Sequence, residues 1–482
     1  MPKGEGSAHR MGARGVRASI WLTARLCVAG AGFGFGCSGA MADTLEWALV
    51  QAYQNNPSLN AQRVALRVID ENVPQALSGY RPKVSVGVLG GYNYVNAQQQ
   101  FPVAGLVTNT EFSQLFPSRT VGATATQTLF NGFQTANRTR QAESQVEGAR
   151  ETLRLTEQQI LLDAATAYMN LLRDGAILEL NENNVQVLTE QLKQTRDRFN
   201  VGEVTRTDVA QAESRLAAGR SALLGSQSNF VTSQANYRRV IGVDPGKLAP
   251  GTPVDRLSPN TLTKAIAQGQ AQSPSVLASM YGVDVAELGV KISEGALYPN
   301  LSVTASASQG WQPAFETAKE TQASIVGQLT IPIYQGGGEY STIRQSKETL
   351  GQQRLNLDVN RDQARATVVQ SWGQLDAAKA QIEATTAQVN SAEIALNGVR
   401  EEARVGQRTT LDVLNAQQEL VNARVALVTA QHDRVVASYS LLASVGALSM
   451  QRLGLNVVIY DPMVHYQQVR DVWAGVRNPD GR

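Results

Sequence analysis

The chain has 482 residues, with 43 basic against 41 acidic side chains, three histidines, two cysteines and only 6% aromatics. The near balance of charge gives no electrostatic footprint for a nucleic-acid partner. An aromatic-poor composition suits long helices packed through small residues better than two or three compact cores.

Residues 1–42 read as a secretory leader. Arg10, Arg14 and Arg17 form a basic region, Ile20 to Gly36 an apolar stretch, and Ala40-Met41-Ala42 a small-x-small cleavage site before Asp43. The leader takes five of the 43 basic residues and one of the 41 acidic ones, leaving 38 and 40, so the mature chain is slightly acidic. It also holds both cysteines, Cys27 and Cys37, which excludes a mature disulfide, thiol catalyst or cysteine metal site. Cys37 follows Gly34-Phe35-Gly36, without the aliphatic residue of a lipoprotein site, so an unlipidated start near Asp43 is expected. No later stretch approaches the ~20 apolar residues of a membrane helix.

The rest of the chain is one unit written twice. Asn56-Pro57-Ser58 and Pro82 return as Ser273-Pro274-Ser275 and Pro299, 217 positions later. Val201-Gly202-x-x-Thr205-x-x-Asp208-Val209 returns as Val405-Gly406-x-x-Thr409-x-x-Asp412-Val413, now 204 positions later. The change of offset places 13 extra residues between the first pair of strands, expected as a loop around Gln98 to Pro117. The repeats are set at 43–250 and 251–450, followed by a tail, 451–482, that carries no readable signal.

In chain order, each repeat predicts a helix (58–80; 275–297), two strands, a very long helix (132–199; 338–404), a Val-Gly turn and a shorter return helix (207–241; 410–448). No proline falls between Pro117 and Pro245 or between Pro332 and Pro462. A helix interior interrupted by proline loses ~3 kcal/mol, so these are the places where helices ~100 Å long can run. Glycine is the usual helix stop, and Thr205 or Thr207 and Thr409 or Thr410 are the N-caps of the return helices. The helix before each strand pair is expected to stack end to end on the return helix and make up its missing length.

The strands alternate at period two. Leu301, Val303, Ala305 and Ala307 interleave with Ser302, Thr304, Ser306 and Ser308, and Ala323 to Ile333 behaves likewise. Val84, Val86 and Val88 open the first strand, and Thr120 to Phe130 is the second. One face is apolar and the other small and polar, over the ~10 residues that a tilted outer-membrane strand needs. Four strands cannot close a barrel, and an open edge in lipid is forbidden. Several chains must therefore pool their strands.

Catalytic machinery is not written in the chain. HExxH, GxSxG and Walker motifs are absent, Gly336-Gly337-Gly338 is a structural junction, and His432 is expected as a solvated helix residue. The expectation is no enzyme, no cofactor and no metal.

With these features in view, residues 43–450 resemble the TolC-like outer-membrane channels of efflux and type I secretion. The resemblance rests on the duplicated unit, the Leu129-Phe130-Asn131-Gly132 and Ile333-Tyr334-Gln335-Gly336 junctions, and above all Val405-Gly406-Gln407-Arg408-Thr409-Thr410-Leu411-Asp412-Val413-Leu414. It implies an α+β membrane protein: a homotrimer whose long helical hairpins form a periplasmic α-barrel joined to a transmembrane β-barrel of four strands per protomer. The function implied is a passive exit duct in the Gram-negative outer membrane. It would recruit a periplasmic adaptor (membrane fusion) protein and, through it, an inner-membrane ABC or proton-driven transporter. Its cargo would be protein or small molecules. The same resemblance assigns a periplasmic gate to Asp208, Arg408 and Asp412, with Arg408 paired to Asp208 and Asp412 in an acidic ring. It assigns adaptor contact to the hairpin tips at Val201, Gly202, Thr205, Val405, Gly406 and Thr409. The family's second ring aspartate is replaced here by Asn415, and its gate tyrosine by Ala403. A periplasmic adaptor or a structural coiled-coil cell-envelope protein is the alternative; the first needs a single hairpin, the second no two-faced strands.

Overall fold

The computed structural model describes residues 43–103, 106–312 and 319–479, with the backbone alone over 99–103 and 106–110. The expected leader and its two cysteines lie outside the described residues.

The first repeat runs α1 (Leu45–Asn55), α2 (Pro57–Asp70), α3 (Asn72–Leu77), β1 (Lys83–Val103), β2 (Leu106–Asn131), α4 (Gln134–Asn200) and α5 (Arg206–Ile241). The second runs α6 (Leu262–Gln272), α7 (Pro274–Gly295), β3 (Asn300–Trp311), β4 (Lys319–Thr330), α8 (Gly338–Arg404) and α9 (Thr410–Ser444). The tail adds two short helices, α10 (Met450–Leu453) and α11 (Pro462–Val469). Helices α4 and α8 are 67 residues each, ~100 Å at 1.5 Å per residue. No helix among the described residues is long and apolar enough to cross a membrane.

The end-to-end stacking has a specific joint. The Asn56 side chain donates from Nδ2 to the carbonyl of Val240 at 2.8 Å, while its Oδ1 accepts from Ser58 N at 2.9 Å and Leu59 N at 3.3 Å. One asparagine thus serves an orphan carbonyl at the end of α5 and orphan N–H groups at the start of α2. In the second repeat Arg154 of α4 bridges the facing ends, donating to the carbonyls of Gln272 and Gly446 at 3.3 and 2.9 Å. Around this level lies the largest apolar core, with Leu45, Leu49 and Tyr53 of α1, Leu161, Ala164 and Tyr168 of α4, Ile241 of α5 and Leu442 of α9.

The four strands form one antiparallel sheet in the order β1-β2-β3-β4. Register carries the two faces straight across it. Val84, Ala125, Ala305 and Ile325 are successive partners on one face, and Ser85, Thr124, Ser306 and Ser324 on the other. The hydroxyls of Ser306 and Ser324 lie 2.9 Å apart. Below the sheet, Gly132 takes a left-handed φ of +63°, and a Cβ there would fall 2.2 Å from the carbonyl oxygen of Gly295. The strand-to-helix junction therefore requires glycine on two counts.

Two expectations are corrected. The 13 extra residues are not a loop: the β1–β2 ladder continues from Lys83↔Thr126 to Val103↔Leu106, giving strands of 21 and 26 residues against 12 and 12 for β3 and β4. Pro117 suggested a break, but β2 pairs with β3 only from Arg119 onward, so at Pro117 one edge is free and no ladder hydrogen bond is lost there. His432, expected in solvent, is buried, because its position on α9 faces α4 rather than water. Burial, outweighing the pull of Asp433, holds its pKa below the ordinary 6.5.

The tail has a structure of its own. Helix α11 packs on α2, where Asp70 is fully buried and its Oδ2 lies 3.0 Å from Nδ1 of His465.

Candidate functional site: the hairpin tips

Both long helices end in the same turn. Gly202 and Gly406 take φ of +79° and +80°. Glu203 N and Gln407 N then donate back to the carbonyls of Arg198 and Glu402, each at 2.9 Å. These are bonds that only a left-handed residue at this place allows, and they satisfy carbonyls the helix end would otherwise leave open. The preceding valines have nothing to cover them: Val201 and Val405 are 72% and 71% exposed.

Each return helix opens with a capping box. Thr205 donates from N and Oγ1 to Oδ2 of Asp208 at 2.9 and 2.7 Å, and Asp208 N donates to Thr205 Oγ1 at 3.4 Å. Thr409 and Asp412 repeat this at 2.9, 2.9 and 3.2 Å. Thr205 and Thr409, not Thr207 and Thr410, are thus the N-caps. These bonds to the ionised form hold both carboxyls below the usual 3.8, the Thr205 side chain leading for Asp208 and the Thr409 backbone N–H for Asp412.

Within the chain, Arg408 does not meet Asp208. Its Nε donates to Oε2 of Glu402 at 2.8 Å, inside its own turn, while Asp208 is engaged by Thr205. Within one copy proximity decides the partner: Glu402 lies on the last helical turn that the Val-Gly reversal folds back on.

The link between the repeats at this end is a different one. Arg215 of α5 donates from Nη2 to Oδ1 of Asn415 on α9 at 2.6 Å. Beside it, Leu414 of α9 is buried in the first hairpin among Leu188, Leu192, Ala212 and Leu216. Sequence reasoning missed Glu402, Arg215 and Leu414 because it followed the duplication. At the 204-residue offset their counterparts are Arg198, Glu419 and Ala210, so none is repeated. The signal available was this departure from symmetry.

No group of histidine, cysteine and carboxylate side chains suited to a metal ion occurs among the described residues.

The model of the outer membrane efflux protein family matches residues 48–243 and 265–447. The chain is 43% identical over 444 residues to the outer membrane efflux protein BepC of Brucella suis biovar 1 (strain 1330), covering 92% of this chain and 94% of that protein. It is 24% identical over 441 residues to outer membrane protein TolC of Escherichia coli (strain K12), covering 88% and 86%. In fold it is similar to the Campylobacter jejuni CmeC outer membrane channel, with a TM-score of 0.73 over 89% of each chain at 15% identity. Taken with the duplicated hairpins and the two-faced sheet, these likenesses mean that the chain belongs to the outer membrane efflux protein family and is an outer-membrane exit duct.

Proposed function

We propose that three copies assemble into one channel, pooling four strands each into a transmembrane β-barrel and their long hairpins into a periplasmic tunnel. The observation that carries this reading is the sheet itself. It is apolar on one face and polar on the other, and both β1 and β4 are open edges. Backbone groups on an open edge cannot be left unpaired in hydrocarbon, so β1 of one copy pairs with β4 of the next. The trimer number follows the family.

The two repeats, 43–250 and 251–450, give each copy two hairpins whose tips form the periplasmic entrance. The exposed Val201 and Val405, with Gly202, Thr205, Gly406 and Thr409 in the same turns, offer an apolar knob to a periplasmic adaptor, which brings an inner-membrane ABC or proton-driven transporter. Transport energy comes from that pump. Asp412 supplies a three-carboxylate ring that concentrates cations at the entrance. Arg408 and Asp208 contribute to the closed state through contacts between neighbouring copies. The cargo is protein or small molecules.

Cysteine cross-linking tests the assembly. Ser85→Cys on β1, combined in turn with Gln322→Cys, Ser324→Cys and Gln328→Cys on β4, should give a covalent ladder ending at the trimer in outer-membrane fractions. A ladder ending elsewhere, or no cross-link at any register, overturns the barrel.

A further inference from the structure

The last residues of the tail reach the foot of the sheet. Helix α11 is fixed by the His465–Asp70 contact, by buried Val469, and by Arg150, whose guanidinium lies 5.1 Å from the Tyr466 ring centroid. Beyond it, Arg81 donates from Nη1 to the carbonyl of Val472 at 2.7 Å, and its guanidinium lies 4.7 Å from the ring centroid of Trp473. That cation–π contact covers little of the indole: Trp473 is 72% exposed, and Val476 beyond it is 100% exposed.

Their height relative to the sheet gives this exposed segment its meaning. The apolar face begins at Val84, three residues after Arg81. At ~3.3 Å per residue along a strand tilted by ~45°, that is ~7 Å along the membrane normal, the depth of a headgroup layer rather than of hydrocarbon. Exposed Tyr80 and Tyr298 flank the same end of the sheet. Indole is the side chain that partitions best into such a layer. Arg81 against the ring and Arg477 four residues along the chain carry positive charge, against Asp471 in the same stretch.

We propose that residues 472–477 form an interfacial anchor, laying Trp473 and Val476 among the inner-leaflet headgroups of the outer membrane, with Arg81 beside lipid phosphate. The anchor would fix the height at which the helical body meets the membrane. It rests on the sheet being the membrane-spanning part, and the test separates the two.

Residues 43–482 contain no cysteine, so single nitroxide labels can be placed freely. Val476→Cys, Ile325→Cys in mid-β4 and Val201→Cys at a hairpin tip would each be labelled in the assembled protein. The proteins would go into nanodiscs of phosphatidylethanolamine and phosphatidylglycerol doped with a nickel-chelating lipid. The Val476 label should relax at least threefold faster with nickel lipid than the Val201 label, and Trp473→Ala should abolish most of that difference. The Ile325 label should respond to dissolved oxygen as a hydrocarbon site does. A Val476 label indistinguishable from Val201, or one broadened by a neighbouring copy and blind to nickel lipid, overturns the anchor. An Ile325 label without hydrocarbon character overturns the membrane reading of the sheet instead.

Discussion

Arg215 and Asn415, 200 positions apart in the chain, are joined by a 2.6 Å hydrogen bond between the two return helices near the tips. A hydrogen bond from a charged donor contributes ~1.5–3 kcal/mol where it is sheltered and less where water competes. Here both partners are on the surface, so ~0.5–1 kcal/mol per copy is the relevant scale. Arg215→Ala and Asn415→Ala should each raise basal single-channel conductance with the trimer intact. The double variant should add little to either single one, since both remove the same bond. Additive effects would mean that the two residues act separately.

Arg408 gives a sharper discrimination. If its contact to Glu402 holds the turn, Glu402→Gln and Arg408→Ser should raise conductance and dye leakage alike. If contacts between copies dominate, Arg408→Ser should act and Glu402→Gln should not. Unchanged conductance in a correctly assembled Arg408→Ser trimer removes Arg408 from the closed state.

Asp412 has two duties that can be separated. Asparagine at this position still accepts from the Thr409 N–H but carries no charge. Asp412→Asn should therefore keep thermal stability close to wild type and lose cation preference, while Asp412→Ala should lose both, because it also removes the reciprocal half of the capping box. Because the Asp412 carboxyl is held below 3.8, its cap and charge are fully present above that value and are lost only as pH falls through the lower folded-state value. Reversal potentials should accordingly stay constant on acidification from pH 7 to 4.5.

His432 points the other way. Its folded-state pKa lies below 6.5, so the folded chain binds fewer protons than the unfolded one between the two values. The stability associated with neutral His432 is complete above pH 6.5 and declines as pH falls below it. Wild type should lose more melting temperature between pH 7.5 and 5 than His432→Leu, with Arg173, Asp174 and Asp433 the same in both. Equal losses would assign the acid sensitivity elsewhere.

Asn56→Ala should be among the costliest single changes outside the main core. It removes two N-cap bonds and leaves the Val240 carbonyl unpaired, ~1–3 kcal/mol together. Asn56→Asp should recover the N-cap part alone, and an Asn56→Asp variant as stable as wild type would show that the joint to α5 contributes nothing.

Sequence alone determined whatever is governed by local rules. Proline-free runs set the two 67-residue helices, Val-Gly set their ends, the threonines at 205 or 207 and 409 or 410 set the starts of the return helices to within two residues, and period-two alternation set both sheet faces. Each depends on residues within a few positions of one another, so one sequence suffices to read it. Only the tertiary structure decided that Asn56 joins α5 to α2, that Arg215 rather than Arg408 links the repeats within the chain, and that His432 is buried. It also decided that the tail runs back to Arg81. Those facts depend on which faces of distant helices meet, and chain spacing carries no information about that. The long first hairpin falls between the two cases: its residues permit a strand, but only the free edge of β2 beyond Arg119 lets Pro117 belong to one.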